Sequence, residues 1–316
     1  MVKLSSKLPL LKPMLAVMGE PFDSSDFLFE IKWDGIRCLA YLTEETVLYS
    51  RNSNDITQRY PELSNLHHKL QGVPMILDGE IVVFERDKPS FHRLLTRNRM
   101  TNNYRIGQAA AQYPAVLMVF DLLYYQGKSQ LHLPLRERKK LLADVVVPTA
   151  NLRLSEYVQN EGVEFYQAIC RLELEGMVAK KLDSQYLPGK RSHSWHKIKR
   201  IQEEYLIICG YTKGKGQRQS LGSLILGGYR GECLIYAGQV GSGFSQSGVE
   251  EIKQLLQPLS RAESPLEHYP SLPQALWVEP KLVCTVKFLE RTENGEIRHS
   301  SFTGLRPDKE PGECQL

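Results

Sequence analysis

Two runs of eleven residues constrain what this chain can fold into: MILDGEIVVFE at 75–85 and AVLMVFDLLYY at 115–125. Both are strongly apolar and rich in β-branched or aromatic side chains, which is the signature of buried strands. The first encloses Asp78-Gly79-Glu80, and the second places Phe120-Asp121 behind its apolar half. Shorter β-rich runs precede them: LFEIKWDG, RCLAYLT and TVLYSR. Helices are expected between strands. PLRERKKLLADVV opens on a proline and sets charges over an apolar face. GVEFYQAICRLELEG spaces Val163, Tyr166, Ile169 and Leu172 at helical intervals and ends at a glycine.

The texture changes near 200–203. Beyond it come YLIICGYT, SLILGGYR, ECLIYAGQV, LVCTVKFLE and EIRHSSFTG, short strands joined by Gly-rich turns, with one helix at about 247–257. Five strands and a helix in that span suit a small Greek-key barrel of the OB type. The loop KGKGQRQ between the first two of these strands reads as basic and mobile. A chain of 316 residues therefore divides into two domains, 1–201 and 202–316. The expected class is α+β.

Charge follows the same division. Residues 1–201 hold 28 Lys and Arg against 22 acids, and 202–316 hold 12 against 14. The stretch 180–200 alone carries seven basic residues and one acid. Such clustering suits a polyphosphate or a nucleic-acid backbone, or else a solvated basic face. The segment 86–105, with six basic residues and one acid, reads either as a DNA contact or as a solvated loop.

Cys38, Cys170, Cys209, Cys233, Cys284 and Cys314 are scattered and form no CxxC pair, which argues against a zinc site or a disulfide framework. No run reaches the roughly 18–20 apolar residues of a membrane span. Pro9, Lys12 and Pro13 interrupt any signal-like start. The chain reads as a cytoplasmic protein, with no membrane partner.

The chemistry-bearing segment is Glu30-Ile31-Lys32-Trp33-Asp34-Gly35-Ile36-Arg37. A lysine leaves a strand beside an Asp-Gly turn, with an arginine five positions on. A lysine amine attacks phosphorus only when deprotonated, so cations or desolvation must bring it below its free pKa of ~10.4. Alone, the segment reads more readily as a surface turn. Further on stand Ser50-Arg51-Asn52, Asp78-Gly79-Glu80, Phe120-Asp121, Glu175-Gly176-Met177-Val178-Ala179-Lys180, Trp195-His196-Lys197-Ile198-Lys199 and Arg306-Pro307-Asp308-Lys309. In the fifth of these, alternation puts Lys197 and Lys199 on one strand face.

The ordered set KWDGIR, SRN, DGE, FD, EGMVAK, WHKIK and RPDK resembles the nucleotidyltransferase motifs of ATP-dependent DNA ligases, over residues 12–309. SQYLPGKRS at 184–192 and FTGLRPDK at 302–309 are similar to the ligase module of bacterial ligase D-type enzymes and their stand-alone relatives. The resemblance implies a nucleotidyltransferase (adenylation) domain of antiparallel sheets with helices, followed by an OB-fold β-barrel. It implies ATP, with AMP carried on Lys32, and a divalent metal, Mg2+ or Mn2+, at Glu175. Glu30 matches an adenine contact, Arg37 and Glu80 match ribose ligands, and Phe120 and Val178 match the two walls of the purine slot. Lys180, Lys197 and Lys199 match phosphate ligands, and Arg51 a contact to the nick's 5′-phosphate. Arg306, Asp308 and Lys309 match a motif that the barrel brings over bound ATP before swinging away. The partners implied are nicked or broken double-stranded DNA and bacterial Ku, for a monomer working at the bacterial nucleoid in DNA repair.

Other roles compete. Phe120 and Trp195 suit the core, Arg51 a surface ion pair, Asp78 and Asp121 structural tasks, and Met14 and Met18 packing. His193 and His196 show no ligand geometry. The chain reaches Lys32 almost at once, so a separate helical DNA-binding domain before it is not expected. An mRNA-capping guanylyltransferase, an RNA ligase and a non-catalytic nucleic-acid-binding protein are the competing readings. GTP against ATP, nicked RNA against nicked DNA, and a missing AMP adduct separate them.

Overall fold

The computed structural model describes residues 8–214, 221–292 and 294–316. Most of the KGKGQRQ loop, at 215–220, lies outside them. The chain forms two compact units, Met1–Arg200 and Ile201–Leu316.

In the first unit the strands are β1 (Leu15–Met18), β2 (Ser24–Ile31), β3 (Ile36–Leu42), β4 (Thr46–Ser50), β5 (Met75–Glu85), β6 (Lys88–Pro89), β7 (Ala115–Tyr125), β8 (Lys128–Ser129), β9 (Leu152–Leu154), β10 (Tyr157–Asn160), β11 (Gly176–Lys181) and β12 (Arg191–Lys199). The helices are α1 (Leu66–Lys69), α2 (Phe91–Asn98), α3 (Asn103–Gln112), α4 (Leu135–Val145) and α5 (Gly162–Arg171). Two sheets result. One runs β1-β12-β11-β2-β10, and the other runs β4-β3-β5-β7-β8 with β6 and β9 on its flanks. The two eleven-residue apolar runs are β5 and β7, paired antiparallel at the centre of the second sheet.

Each sheet buries an outer face under helices. Leu42, Leu77, Leu117 and Leu122 pack with Leu94 of α2 and Leu142 of α4. Phe29, Met177, Ala179 and Ile198 pack with Ile169 of α5. Each of these Leu, Ile, Phe and Met side chains contributes roughly 1.5–3 kcal/mol on leaving water. A third cluster, including Met14, Leu39, Ile76, Phe120, Tyr186 and Trp195, draws on both sheets.

Polar groups also sit in this interior. Asp78 and Asp121 face one another across the β5–β7 ladder, both fully buried. Arg37 grips Asp78 with Nε at 2.6 Å and Nη2 at 2.7 Å. Arg138 of α4 grips Asp121 through two bonds of 2.8 Å. Two like charges at paired positions repel, and a planar guanidinium forked on each carboxylate offsets that repulsion. Both aspartates thus hold the structural role expected of them.

The segment 86–105 is not a loop. It contains α2 and the start of α3, capped by Ser90 and Asn102. Three of its cations are paired within the unit: Arg97 is buried on Glu62 at 2.5 Å, Arg93 lies on Glu85 at 2.7 Å, and Lys88 meets Glu173 at 3.1 Å on the surface. Met18, expected to pack, is 56% exposed. It ends β1, where the burial of Met14 has given way to solvent.

In the second unit the strands are β13 (Gln202–Thr212), β14 (Leu224–Arg230), β15 (Cys233–Val240), β16 (Ser260–Arg261), β17 (Ala275–Phe288), β18 (Glu290–Arg291), β19 (Ile297–Arg298) and β20 (Ser301–Leu305), with α6 (Gln246–Leu256) between β15 and β16. They form one sheet, β16-β17-β13-β14-β15-β19-β18, and β20 pairs with β17. Ile252 and Leu256 of α6 pack on Leu206, Leu224 and Val286. β17 begins well before the expected LVCTVKFLE because Ala275–Trp277 rejoins β13 beyond an irregularity at Ile208/Gly210. Pro280 falls in that unpaired gap, where its missing N–H costs no ladder bond. EIRHSSFTG is two strands, broken at His299 with φ of 53°.

Replacing Arg138 with Met strands the Asp121 carboxylate in the interior. The expected loss is ~3–5 kcal/mol, read by chemical denaturation. Pairing it with Asp121→Asn recovers part of that loss.

Candidate active site

The cavity of the first unit lies where the two sheets present their inner faces, and its volume is about 310 Å³. That is the lower end of the ~300–1,000 Å³ range of small-molecule sites.

One wall follows from strand register. Glu30, Val178 and Lys197 are direct cross-strand neighbours on β2, β11 and β12, so they form one row. Lys180 faces Trp195 in the next row, and Gly176 faces Lys199 on the other side. Strict alternation puts Trp195, Lys197 and Lys199 on this face, as expected of the two lysines. Trp195 is buried core, as expected, and also lines the cavity.

The opposite wall comes from β3, β5 and β7. Arg37 and Glu80 are cross-strand neighbours. Asp78 faces Asp121 and Gly79 faces Val119, so Phe120 is the extra residue of a β-bulge. Bulges re-aim a side chain. Here the ring lines the cavity, with Lys180 Nζ 4.0 Å and Arg37 Cζ 4.5 Å from its centroid.

Lys32 sits just past the end of β2, and its N–H bonds Gly176 O at 2.9 Å. Gly35 is required by lack of space: a Cβ there would lie 2.3 Å from Ile81 O. Lys32 Nζ is 2.5 Å from Glu175 Oε2, and Lys199 Nζ is 3.4 Å from Glu175 Oε1. Arg51, Arg191 and Lys197 line the same cavity. Among the described residues Arg51 has no acidic partner, so the surface ion pair considered for it does not form. Burial lowers the Lys197 pKa, and repulsion from Arg191, Lys32, Lys199 and Arg51 lowers it further. Five cations line this end of the cavity, and two of them, Lys32 and Lys199, pair with Glu175, so it suits a polyanion.

The other end differs. Lys180 is buried and bonds Glu30 Oε2 at 2.6 Å. Burial brings Lys180 down to about 8 against the pull of Glu30. Its partners are Glu30 and the Phe120 and Trp195 rings. Burial also pushes the Glu80 carboxyl up to about 8, opposed by Arg37 and Lys32.

All the expected residues of the first unit therefore gather in one cavity: Glu30, Lys32, Arg37, Arg51, Glu80, Phe120, Glu175, Val178, Lys180, Lys197 and Lys199. Arg306 and Lys309 belong to the second unit. There Arg306 forks on Asp308 at 2.8 and 2.7 Å, lies 4.4 Å from the Tyr205 centroid, and holds the Asp308 carboxyl down to about 2. Lys309 pairs with Glu313 at 2.7 Å. His196 packs between Phe22 and Phe27, and neither it nor His193 lines the cavity.

Several residues of the site went unforeseen. Trp33 lines the cavity and donates to Ser155 Oγ at 3.1 Å. Tyr186 donates to Asp78 Oδ2 at 2.7 Å and accepts from Met14 N at 2.9 Å, so it locks the aspartate that locks Arg37. Arg191 donates to Ala16 O. Tyr186 and Arg191 stand in SQYLPGKRS, a stretch noted only as a branch marker.

A divalent cation has one suitable protein ligand here. Glu30 is buried between two lysines, and burial pushes the Glu80 carboxyl up to about 8. Glu175 also meets two lysines, but it is partly exposed and stands at the cationic end of the cavity. Among the described residues no cluster of three or more His, Cys, Asp or Glu is poised for a metal. One carboxylate fits Mg2+, which keeps waters and shares substrate phosphates, and does not fit a structural metal.

The family model described as "ATP dependent DNA ligase domain" matches residues 13–199, and "ATP dependent DNA ligase C terminal region" matches 217–309. The chain belongs to the ATP-dependent DNA ligases. The ligase is 35% identical over 311 residues to the multifunctional non-homologous end joining DNA repair protein LigD of Mycobacterium tuberculosis, covering 96% of this chain and 39% of that protein. It is 33% identical over 304 residues to a DNA ligase of Thermococcus fumicolans, covering 90% of this chain and 53% of that one. The solved mycobacterial DNA ligase D complexed with ATP and MES is 32% identical with a TM-score of 0.54, over 96% of this chain and 97% of that one. The fold is thus the nucleotidyltransferase and OB-fold core of these ligases. No helix among the described residues is long and apolar enough to cross a membrane.

The Glu80 pKa, raised from 4.5 to about 8, makes a stability prediction. The folded state holds this proton more tightly than the unfolded one. Its contribution is complete below pH 4.5 and is lost as pH rises through 8. Glu80→Gln does not titrate. Its Tm relative to the parent is expected to climb between pH 5 and 8.5, by roughly 2–4 °C for each kcal/mol recovered. A pH-independent difference refutes the assignment.

Proposed function

We propose that this ligase loads AMP from ATP onto Lys32, passes it to the 5′-phosphate of a DNA break, and lets the 3′-hydroxyl displace it. The observation that carries this reading is the Lys32–Glu175 contact of 2.5 Å at the cationic end of a cavity whose other end is aromatic.

The purine enters between Phe120 and Val178, whose ring and aliphatic surface hold it face-on. Glu30 and Lys180 meet its edge, and this buried placement supports a base contact for Lys180 rather than a phosphate contact. Arg37 and Glu80, neighbours on β3 and β5, take the ribose hydroxyls. Lys197 and Lys199 take the α-phosphate.

In the first step the Lys32 Nζ lone pair attacks the α-phosphorus. The P–N bond forms, the bond to the pyrophosphate oxygen breaks, and pyrophosphate leaves. The proton that Nζ gives up has Glu175 Oε2 as a near acceptor. Lys197 and Lys199 stabilise the charge growing on the α-phosphate, the kind of contribution whose loss costs ~10²–10³ in rate. A divalent cation held by Glu175 would supply further neutralisation of phosphate charge. Arg306 and Lys309 are assigned to the departing pyrophosphate. In the second step a 5′-phosphate oxygen, held by Arg51, attacks the same phosphorus. The P–N bond breaks and Lys32 is regenerated. In the third step the 3′-hydroxyl attacks the 5′-phosphate, closing the backbone and releasing AMP.

The names of the LigD relatives set them in non-homologous end joining. The chain spans 39% of the length of such a relative. We assign it the same setting, cytoplasmic DNA repair at the nucleoid with bacterial Ku as partner.

Intact mass after incubation with ATP and Mg2+ is expected to show an AMP adduct on the parent chain and none on Lys32→Ala. Sealing of nicked DNA disappears with it. A Lys32→Ala chain that seals nicks at the parental rate, or a parent that takes GTP in place of ATP, overturns the proposal.

A further inference from the structure

Glu30 has an ion pair on each oxygen, with hydrogen-bond geometry at Oε2 and charge contact alone at Oε1. Oε2 meets Lys180 of β11 at 2.6 Å, and Oε1 meets Lys139 of α4. All three side chains are at most 5% exposed. Lys180 lines the cavity and Lys139 does not. Lys139 also falls outside every motif on which the family resemblance rests. Its neighbour Arg138 is spent on Asp121. Helix α4 therefore sends one cation to a buried acid of each sheet, Arg138 to Asp121 of β7 and Lys139 to Glu30 of β2.

Two lysines on one carboxylate leave a surplus positive charge in a dry place, a costly arrangement unless it has a use. An adenine edge offers an amino donor beside a ring-nitrogen acceptor, whereas guanine offers a carbonyl acceptor beside an N–H donor. A carboxylate beside an ammonium complements the first pattern and opposes the second. The match works only while the carboxylate is held from turning wholly onto its cavity-side lysine.

We propose that Lys139 is a positioning residue for base recognition, holding Glu30 from behind so that Glu30 and Lys180 meet the purine edge as a fixed acceptor–donor pair. This rests on the nucleotidyl-transfer reading above. The charges that face Lys180 are Glu30 from β2, Lys139 from α4 and Asp121 from β7, the last already forked by Arg138; Arg37 of β3 shares the Phe120 ring. Lys139 repels Lys180, so its loss raises the Lys180 pKa.

The test is single-turnover formation of the AMP adduct by the full chain, with ATP or GTP varied from pH 6.5 to 9.5, for the parent, Lys139→Met and Lys139→Arg. Lys139→Met is expected to raise half-saturating ATP about tenfold, the usual effect of removing one partner from a buried charged group. The maximal rate stays within about twofold, because the reacting phosphorus lies at the other end of the cavity. The preference for ATP over GTP narrows, and the alkaline limit of ATP binding moves to higher pH. Lys139→Arg restores the parental values. Should Lys139→Met lose its cooperative melt, Lys139→Gln takes its place with the same expectation. Unchanged half-saturation, or a fall in maximal rate alone, overturns the role of Lys139. A parent chain that takes no AMP label overturns the nucleotidyl-transfer reading instead, so the two failures are told apart.

Discussion

The pairing of Asp78 with Asp121 across the central ladder governs the rest of the first unit. Two buried carboxylates at facing positions are tolerable only with a guanidinium forked on each, and the chain supplies Arg37 from one side and Arg138 from the other. The register shift next to this pair leaves Phe120 unmatched, so the ring turns toward the cavity. Tyr186 ties Asp78 to Met14, and thus ties β5 to the segment leading into β1. What looks like a structural acid pair therefore sets the aromatic wall, the orientation of Arg37 and the anchorage of the segment before β1.

The two ends of the cavity are built on different electrostatic terms. Around Lys32 the groups are partly exposed, and cations outnumber the carboxylate Glu175. Around Glu30 they are buried, with two lysines on one carboxylate. A nucleotide has the same polarity, with a charged tail and a flat, weakly polar head. The site is matched to that gradient along its length, and no single residue carries the match.

Much of this was legible in the sequence. β5 and β7 announced themselves by apolar runs, and the face of β12 by the alternation in WHKIK. The motif order placed eleven residues in one cavity because strand period and pairing bring such residues together. What stayed hidden depended on contacts that no local pattern encodes. Lys139 reads as one of several charges on an amphipathic helix, and only the packing of α4 shows where it goes. Tyr186 is one tyrosine of 15 in the chain, and its hydroxyl matters because it meets an acid 108 positions away. Helices α2 and α3 were missed because Arg93 and Arg97 looked solvated, while Glu85 and Glu62 neutralise them across the fold. The start of β17 was hidden by Pro280, which normally argues against a strand.

The row Glu30–Val178–Lys197 carries a further consequence for how this site tolerates change. Its reactive face and its greasy face are alternate residues of the same strands. Deleting one residue within β11 would send Met177 and Ala179 toward the nucleotide and turn Val178 and Lys180 into the helix-covered interior. Deleting two would keep each residue type on its own side and move the row by about 6.6–6.8 Å. Length variation in this strand is therefore quantised in pairs, and a lineage that changes it by a single step loses the nucleotide site and a hydrophobic core at once.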